Sequence, residues 1–262
     1  MTTSAILESI KRDISRKGSL KKAKILSRFF KTGPGEYGEG DIFLGVTIPM
    51  LRSVVKGYIH GYLKDSEKYP EEKKKDELLS VAQALLRESI HEYRMAGLYV
   101  LVHLMNKSLK SDSSENKIFS KRIYMCYMNN LDRINNWDLV DSSAYQIVGA
   151  YLLHNKGPNK VLLKLSASKN IWERRVSIIS TFAHIKVGIH EPTVHIAEKL
   201  LYDTHDLIHK AVGWMLREMG KRDKDKLKAF LSTYANKMPR TMLRYSIEKL
   251  SNKERVYFMS KI

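Results

Sequence analysis

The stretch HKAVGWMLRE, residues 209–218, sits inside LIHKAVGWMLREM (207–219), which carries an apolar stripe at helical spacing with charge on the opposite side. Sliding the chain against itself aligns it with VDSSAYQIVG (140–149), RRVSIISTF (174–182) and LRYSIEKL (243–250). Asp141, Arg175, Lys210 and Arg244 then fall in register, at separations of 34, 35 and 34 residues. HEYRMAGLYVL (91–101), with Arg94, reads as an earlier copy at a longer interval of 47. Each copy precedes a turn and another amphipathic helix.

One helical pair per repeat of this length predicts an all-α protein, an α-solenoid of HEAT-like repeats. In such a stack the second helices of successive repeats line one concave face. The register therefore makes a physical claim, that Arg94, Asp141, Arg175, Lys210 and Arg244 form a row along a basic concave surface. Elsewhere apolar residues also recur at three- and four-residue spacing, as in AILESIKRDI (5–14) and MLRSVVKGYI (50–59), and no convincing strict alternation is found. Prolines stand in or near expected first turns in TIPMLR (47–52), HEPTVHIAEKLL (190–201) and KMPRTMLRYSIEKL (237–250). The organisation expected is one domain over 1–262. It comprises an amino-terminal helical pair (1–31), a glycine-rich connection (32–40) and repeats over 41–262. The glycine-rich segment is not a phosphate loop, because no Gly-Lys-Ser/Thr follows it. KDSEKYPEEKKKDE (64–77) and NKSLKSDSSENK (106–117) read as solvated connections between helices.

Forty-six Lys and Arg against 28 Asp and Glu leave the 262-residue chain with a net charge of +18, which points to a polyanionic partner. Apolar runs such as GLYVLVHLM (97–105) are too short to span a bilayer, and the amino terminus lacks the apolar core and cleavage site of a secretory signal. The single cysteine, Cys126, excludes an internal disulfide and fits a reducing compartment. Its setting in IYMCYM reads as apolar packing. Cytoplasmic location and a monomeric state are the expectations. The nine histidines form no HExxH or Cys/His cluster suited to zinc, so no metal or cofactor is expected. No serine lies in a nucleophile elbow.

Asp141 breaks the basic row. For phosphate binding alone a carboxylate there is adverse, since it repels what its neighbours attract. Helix geometry brings tryptophans to the same place: Trp137 lies four residues before Asp141, Trp214 four after Lys210, and Trp172 three before Arg175. A tryptophan at such spacing is more often core than binding surface. Asp138 reads as a first-turn acid, with Asn135 or Asn136 as the cap. Arg175 could contact phosphate, or pair with Asp141 across adjacent repeats. A carboxylate between indole faces in a cationic groove suits cleavage of a glycosidic bond to a positively charged base. Indoles attract the cationic base. A carboxylate stabilises the oxocarbenium-like sugar and orients the attacking water.

NNWDLVD (135–141), NIWERRVSI (170–178) and HKAVGWMLREMGKRD (209–223) resemble matching segments of the AlkD-like DNA alkylation repair enzymes, DNA-7-methylguanine glycosylases built from HEAT-like repeats. The similarity runs in order from GVTIPMLR at Gly45 to about Arg222. It implies that Asp141 is the catalytic aspartate, that Trp137 and Trp214 hold the lesion region, and that Arg175 contacts the DNA backbone beside it. Lys210, Arg94 and Arg244 are the further backbone-binding cations expected from the register. The implied substrate is double-stranded DNA carrying alkylated purines such as 7-methylguanine and 3-methyladenine, acted on without enclosing the base. Two positions depart from the family: Asn136 where related sequences carry another aromatic, and Phe29 where a tyrosine can occur. Two other readings stay open, a catalytically weak or inactive DNA-binding relative and an α-solenoid protein-interaction scaffold.

Overall fold

A computed structural model describes residues 3–64, 70–155 and 160–261. Among the described residues every extended element is helical, and the one β feature is an isolated bridge between Ile42 and Ile90. Among the described residues no helix is long and apolar enough to cross a membrane. The expected helix starts are found. Pro49 and Pro192 are the second residues of their helices, and Pro239 immediately precedes a third. The chain forms two compact units, Met1–Leu139 and Val140–Ile262. The boundary falls inside the short helix Trp137–Asp141, where no change of composition marks it.

In the first unit, helix Glu71–Leu86 packs on His91–Ser108, which also packs on Ile48–Lys64 and Ser114–Met128. Helix Thr3–Ser15 contributes Ile6, Ile10 and Ile14, three buried residues four apart on one stripe. His91–Ser108 is buried on nearly every side, so its hydrophobic pattern is not one-faced. Gly97 lets it approach closely, since a Cβ there would lie 2.8 Å from the Ala82 carbonyl oxygen. The expected connection 64–77 is shorter than its charge suggested. Residues 71–77 are the first two turns of a helix, with Lys74 buried, and 65–69 lie outside the described residues. Likewise the 106–117 stretch narrows to 109–113 between helices ending at Ser108 and starting at Ser114.

The second unit is a run of helical pairs. Lys160–Ser166 pairs with Ile171–Ser180 and Glu191–Lys199 with Asp206–Gly220, on which Lys224–Tyr234 also packs before the chain turns into Arg240–Ser246. The second helices pack in succession, Ile171–Ser180 on Asp206–Gly220 and that helix on Arg240–Ser246. Gly213 makes the latter approach possible, because a Cβ would lie 2.6 Å from the Met242 carbonyl oxygen. Helix Asn252–Met259 follows, opened by a capping box from Ser251 and Glu254.

VDSSAYQIVG is interrupted where the alignment expects one continuous helix. The α-helix ends at Asp141, a turn follows at Ser142–Ser143, and Tyr145–Gly149 is a π-helical turn running into Ala150–His154. One local side chain and one from the next repeat donate to carbonyls in this irregular stretch. Gln146 Nε2 donates to the Ser142 oxygen at 2.7 Å, and Ser180 Oγ to the Ala144 oxygen at 3.4 Å. Gly149 abuts the next repeat, where a Cβ would sit 2.1 Å from the Ser180 carbonyl oxygen. π-turns of this kind concentrate at functional sites.

Candidate functional site

In the second unit the register seen in sequence becomes geometry. Asp141, Arg175, Lys210 and Arg244 are each the fifth residue of their helix. The guanidinium of Arg175 grips the Asp141 carboxylate with both arms: Nε donates to Oδ1 and Nη2 to Oδ2, each at 2.8 Å. Its remaining Nη1 donates to the Leu207 carbonyl oxygen in the first turn of the following helix. The Arg175 side chain is 6% exposed and that of Asp141 19%, so the arginine is buried and the carboxylate partly exposed. The planar fork fixes the plane of the carboxylate.

This alters the expected role of Arg175. Its donors point at Asp141 and Leu207 rather than outward to a phosphate, because pairing satisfies a buried guanidinium that solvent cannot reach. Lys210 and Arg244 fit the expected row better. Lys210 pairs with Asp206 at 2.7 Å yet is 40% exposed, and Arg244 is exposed. Both line one open cleft of about 950 Å³, together with Tyr245 and Arg255.

Trp214 is half-buried and contacts Phe182 at 6.4 Å between ring centroids, and Phe182 meets Tyr145 edge-on at 5.1 Å. Cations lie over two of these rings, Lys186 over Tyr145 and Arg222 over Phe182. Trp172, by contrast, is a core residue at 6% exposure. A three-residue step turns it by about 60° from Arg175 and toward the interior.

The first unit holds a second set of groups. Trp137 is half-buried and stacks on Phe30 at 5.1 Å and 23°, with the exposed Phe29 edge-on at 5.9 Å. Phe30 stacks in turn on Phe43 at 5.0 Å. Asn136 immediately precedes the helix, its Oδ1 accepting from the adjacent Trp137 amide at 2.8 Å. Arg94 is not a surface cation. It is 3% exposed, pairs with the buried Asp41 carboxylate and donates to the Ser89 oxygen at 3.0 Å. The longer 47-residue interval that introduced Arg94 signals this difference, since there it is the fourth residue of its helix rather than the fifth.

Sequence reasoning missed the groups around Arg94. Asp41 accepts from His91 Nδ1 at 3.1 Å and from Asn136 Nδ2 at 2.7 Å, and His91 Nε2 meets Asp138 at 2.9 Å. Burial opposes charge on Asp41, but His91, Arg94 and Asn136 outweigh it and bring its pKa down to about 2. Burial also opposes charge on His91, and Asp138 with Asp41 outweighs it, raising the pKa to about 9. Neighbouring Glu92 accepts the amides of Leu44, Gly45 and Val46 at 2.8 to 3.1 Å. No local sequence signal could have found this cluster, whose contacts through Asp41 and His91 join residues 47 to 95 apart. Cys126 is buried and inert, its thiol pushed up to about 11 by desolvation.

Residues 10–250 match the family model described as DNA alkylation repair enzyme. The chain belongs to the DNA alkylation repair enzyme family. Among solved structures, one titled "Predicted DNA alkylation repair enzyme from Enterococcus faecalis" matches with a TM-score of 0.67 and 16% identity, over 90% of this chain and 98% of that one. At that identity the likeness speaks for the fold alone. No curated protein matches the chain.

Proposed function

We propose that this protein is a monofunctional DNA glycosylase that hydrolyses the N-glycosidic bond of positively charged alkylated purines in duplex DNA, 7-methylguanine and 3-methyladenine among them. The observation that carries the reading is the Asp141 carboxylate, partly exposed and held in a fixed plane by the two-armed grip of a buried arginine. A carboxylate so fixed is preorganised to meet charge that develops in a transition state.

The C1′–N9 bond breaks with its electron pair passing to the base, which leaves neutral because alkylation had made it cationic. The sugar becomes oxocarbenium-like, and the Asp141 carboxylate stabilises it. Water adds to C1′ and releases a proton, giving the free base and an abasic site. Little general-acid help is needed, because the leaving group is already charged. Trp137 and Trp214 offer indole faces to the cationic lesion region. Lys210 and Arg244 contact the phosphates, while Arg175 acts through Asp141. No metal or cofactor is required, and the protein acts as a monomer.

The test is release of 7-methylguanine from a defined duplex under single-turnover conditions. Release by the parent and its strong loss in Asp141→Asn support the reading. Tight DNA binding without base release would favour the inactive relative, and absence of DNA binding would favour the scaffold.

A further inference from the structure

Five polar side chains form a closed cluster beneath the aromatic stack of the first unit: Asp41, His91, Arg94, Asn136 and Asp138. All but Asp138 are less than a tenth exposed, and the Asp138 side chain is 15% exposed. The His91 ring stacks on Phe43 at 4.5 Å and lies 5.4 Å from Phe30. Both its nitrogens face carboxylate oxygens at hydrogen-bond distance. A neutral imidazole has one donor, so it would leave one lone pair facing a carboxylate. Only the doubly protonated ring satisfies both contacts. Counted that way, two carboxylates face one imidazolium and one guanidinium, and the buried charges cancel.

The cluster grips the start of one helix. Asn136 is tied to Asp41 by its Nδ2 and accepts from the Trp137 amide by its Oδ1, while Asp138 in the first turn is tied to His91. That helix runs from Trp137 to Asp141. Two side chains on successive sides of Trp137 are therefore anchored to residues from the 41 loop and the His91–Ser108 helix.

We infer that His91, as an imidazolium bridging Asp41 and Asp138, is a positioning residue that fixes the first turn of the helix bearing Trp137 and Asp141. It touches neither substrate nor reacting atoms, and its effect on rate rests on the role proposed for Asp141. The other charged or titratable groups near this cluster are Arg94, which neutralises Asp41, and Glu92, turned to the 44–46 amides. Tyr99 also lies near Asp138, with Arg52 over its ring at 5.0 Å. The raised pKa of about 9 agrees with the donor count.

The first measurement needs no substitution and no activity. In ¹⁵N spectra of the full chain, the two His91 ring nitrogens should both be protonated at neutral pH. A neutral ring there would overturn the inference. Second, amide exchange of Trp137 to Asp141 should accelerate at least about tenfold in Asp138→Asn, the effect of losing one charged hydrogen bond. Unchanged exchange would overturn it. Third, His91→Gln and Asp138→Asn should each slow base release about tenfold with DNA affinity unchanged, and the double variant should lose little more than either. Additive losses would overturn the coupling. Should the parent release no base, the glycosylase reading fails, while the ring-protonation and exchange measurements still decide this one. Should His91→Gln not fold, the parent spectra and Asp138→Asn suffice.

Discussion

Asp141→Asn keeps the outline of the side chain and exchanges one acceptor oxygen for an NH₂ donor. Arg175 presents donors to both oxygens at 2.8 Å, so in the variant one donor faces another. The arginine is buried, and water cannot fully replace the lost acceptor. One charge-assisted hydrogen bond is worth about 1.5–3 kcal/mol, and the partial exposure of Asp141 places the loss near the lower end, about 2 kcal/mol. For a chain of this size about 2–4 °C of Tm accompanies each kcal/mol, so Tm should fall by about 4–8 °C. The chemical effect is separate. The sugar becomes cationic only as the bond breaks, so the charge of Asp141 counts in the transition state. Removing one electrostatic stabiliser of this kind costs about a hundredfold in rate. The assay pairs a thermal melt with single-turnover release of 7-methylguanine at room temperature, with protein in excess and DNA affinity measured in parallel. Affinity should hold or rise, because a charge that repels phosphate is gone. An unchanged Tm would refute the energetic reading of the pair. Excision at the parental rate, or a loss traced wholly to weaker DNA binding, would refute the role of Asp141.

Three further outcomes are expected. Gly149→Ala would drive a Cβ to 2.1 Å from the Ser180 carbonyl oxygen, so it should destabilise by about 1–3 kcal/mol, read as a lowered Tm; an unchanged Tm would show that the π-turn can shift freely. Lys210→Ala and Arg244→Ala should each weaken binding to damaged and undamaged duplex alike and reduce the salt slope by about 1, whereas Arg94→Ala should cost about 3–5 kcal/mol of stability and leave the slope unchanged. An Arg94→Ala protein with parental Tm and a reduced slope would reverse that assignment. His91, raised from 6.5 to about 9, contributes stability that is complete below pH 6.5 and fades as pH rises toward 9; Asp41, lowered from 3.8 to about 2, contributes stability present above pH 3.8 and lost as pH falls toward 2. Tm should therefore decline on both sides, and Asp138→Asn should flatten the alkaline limb; an alkaline limb identical in that variant would remove His91 as its source.

Much of the second unit was legible in the chain because repetition is a one-dimensional signal. The 34- and 35-residue steps placed Asp141, Arg175, Lys210 and Arg244 at one position of four helices, and they occupy it. Trp172 and Arg94 were less legible. Each has the right residue type close to the right register, and a turn of about 60° in one case and a buried carboxylate in the other change what the side chain meets. The continuous helix expected over VDSSAYQIVG is broken by a π-turn, for which the approach of Gly149 to Ser180 supplies a tertiary reason.

The sequence by itself determined the helical class, the spacing of the pairs, the excess of positive charge and the family to which the chain belongs, because each of these is carried by composition or by periodicity along the chain. Tertiary structure decided which cations lie at the surface and which are committed inside. Arg175 and Arg94 look like Lys210 and Arg244 in sequence, yet they are buried against Asp141 and Asp41. The same is true of His91, whose charge depends on two carboxylates 50 and 47 residues away. A side chain's partners, and so its charge and its task, are set by what folding brings within about 3 Å of it, and no spacing along the chain encodes that distance.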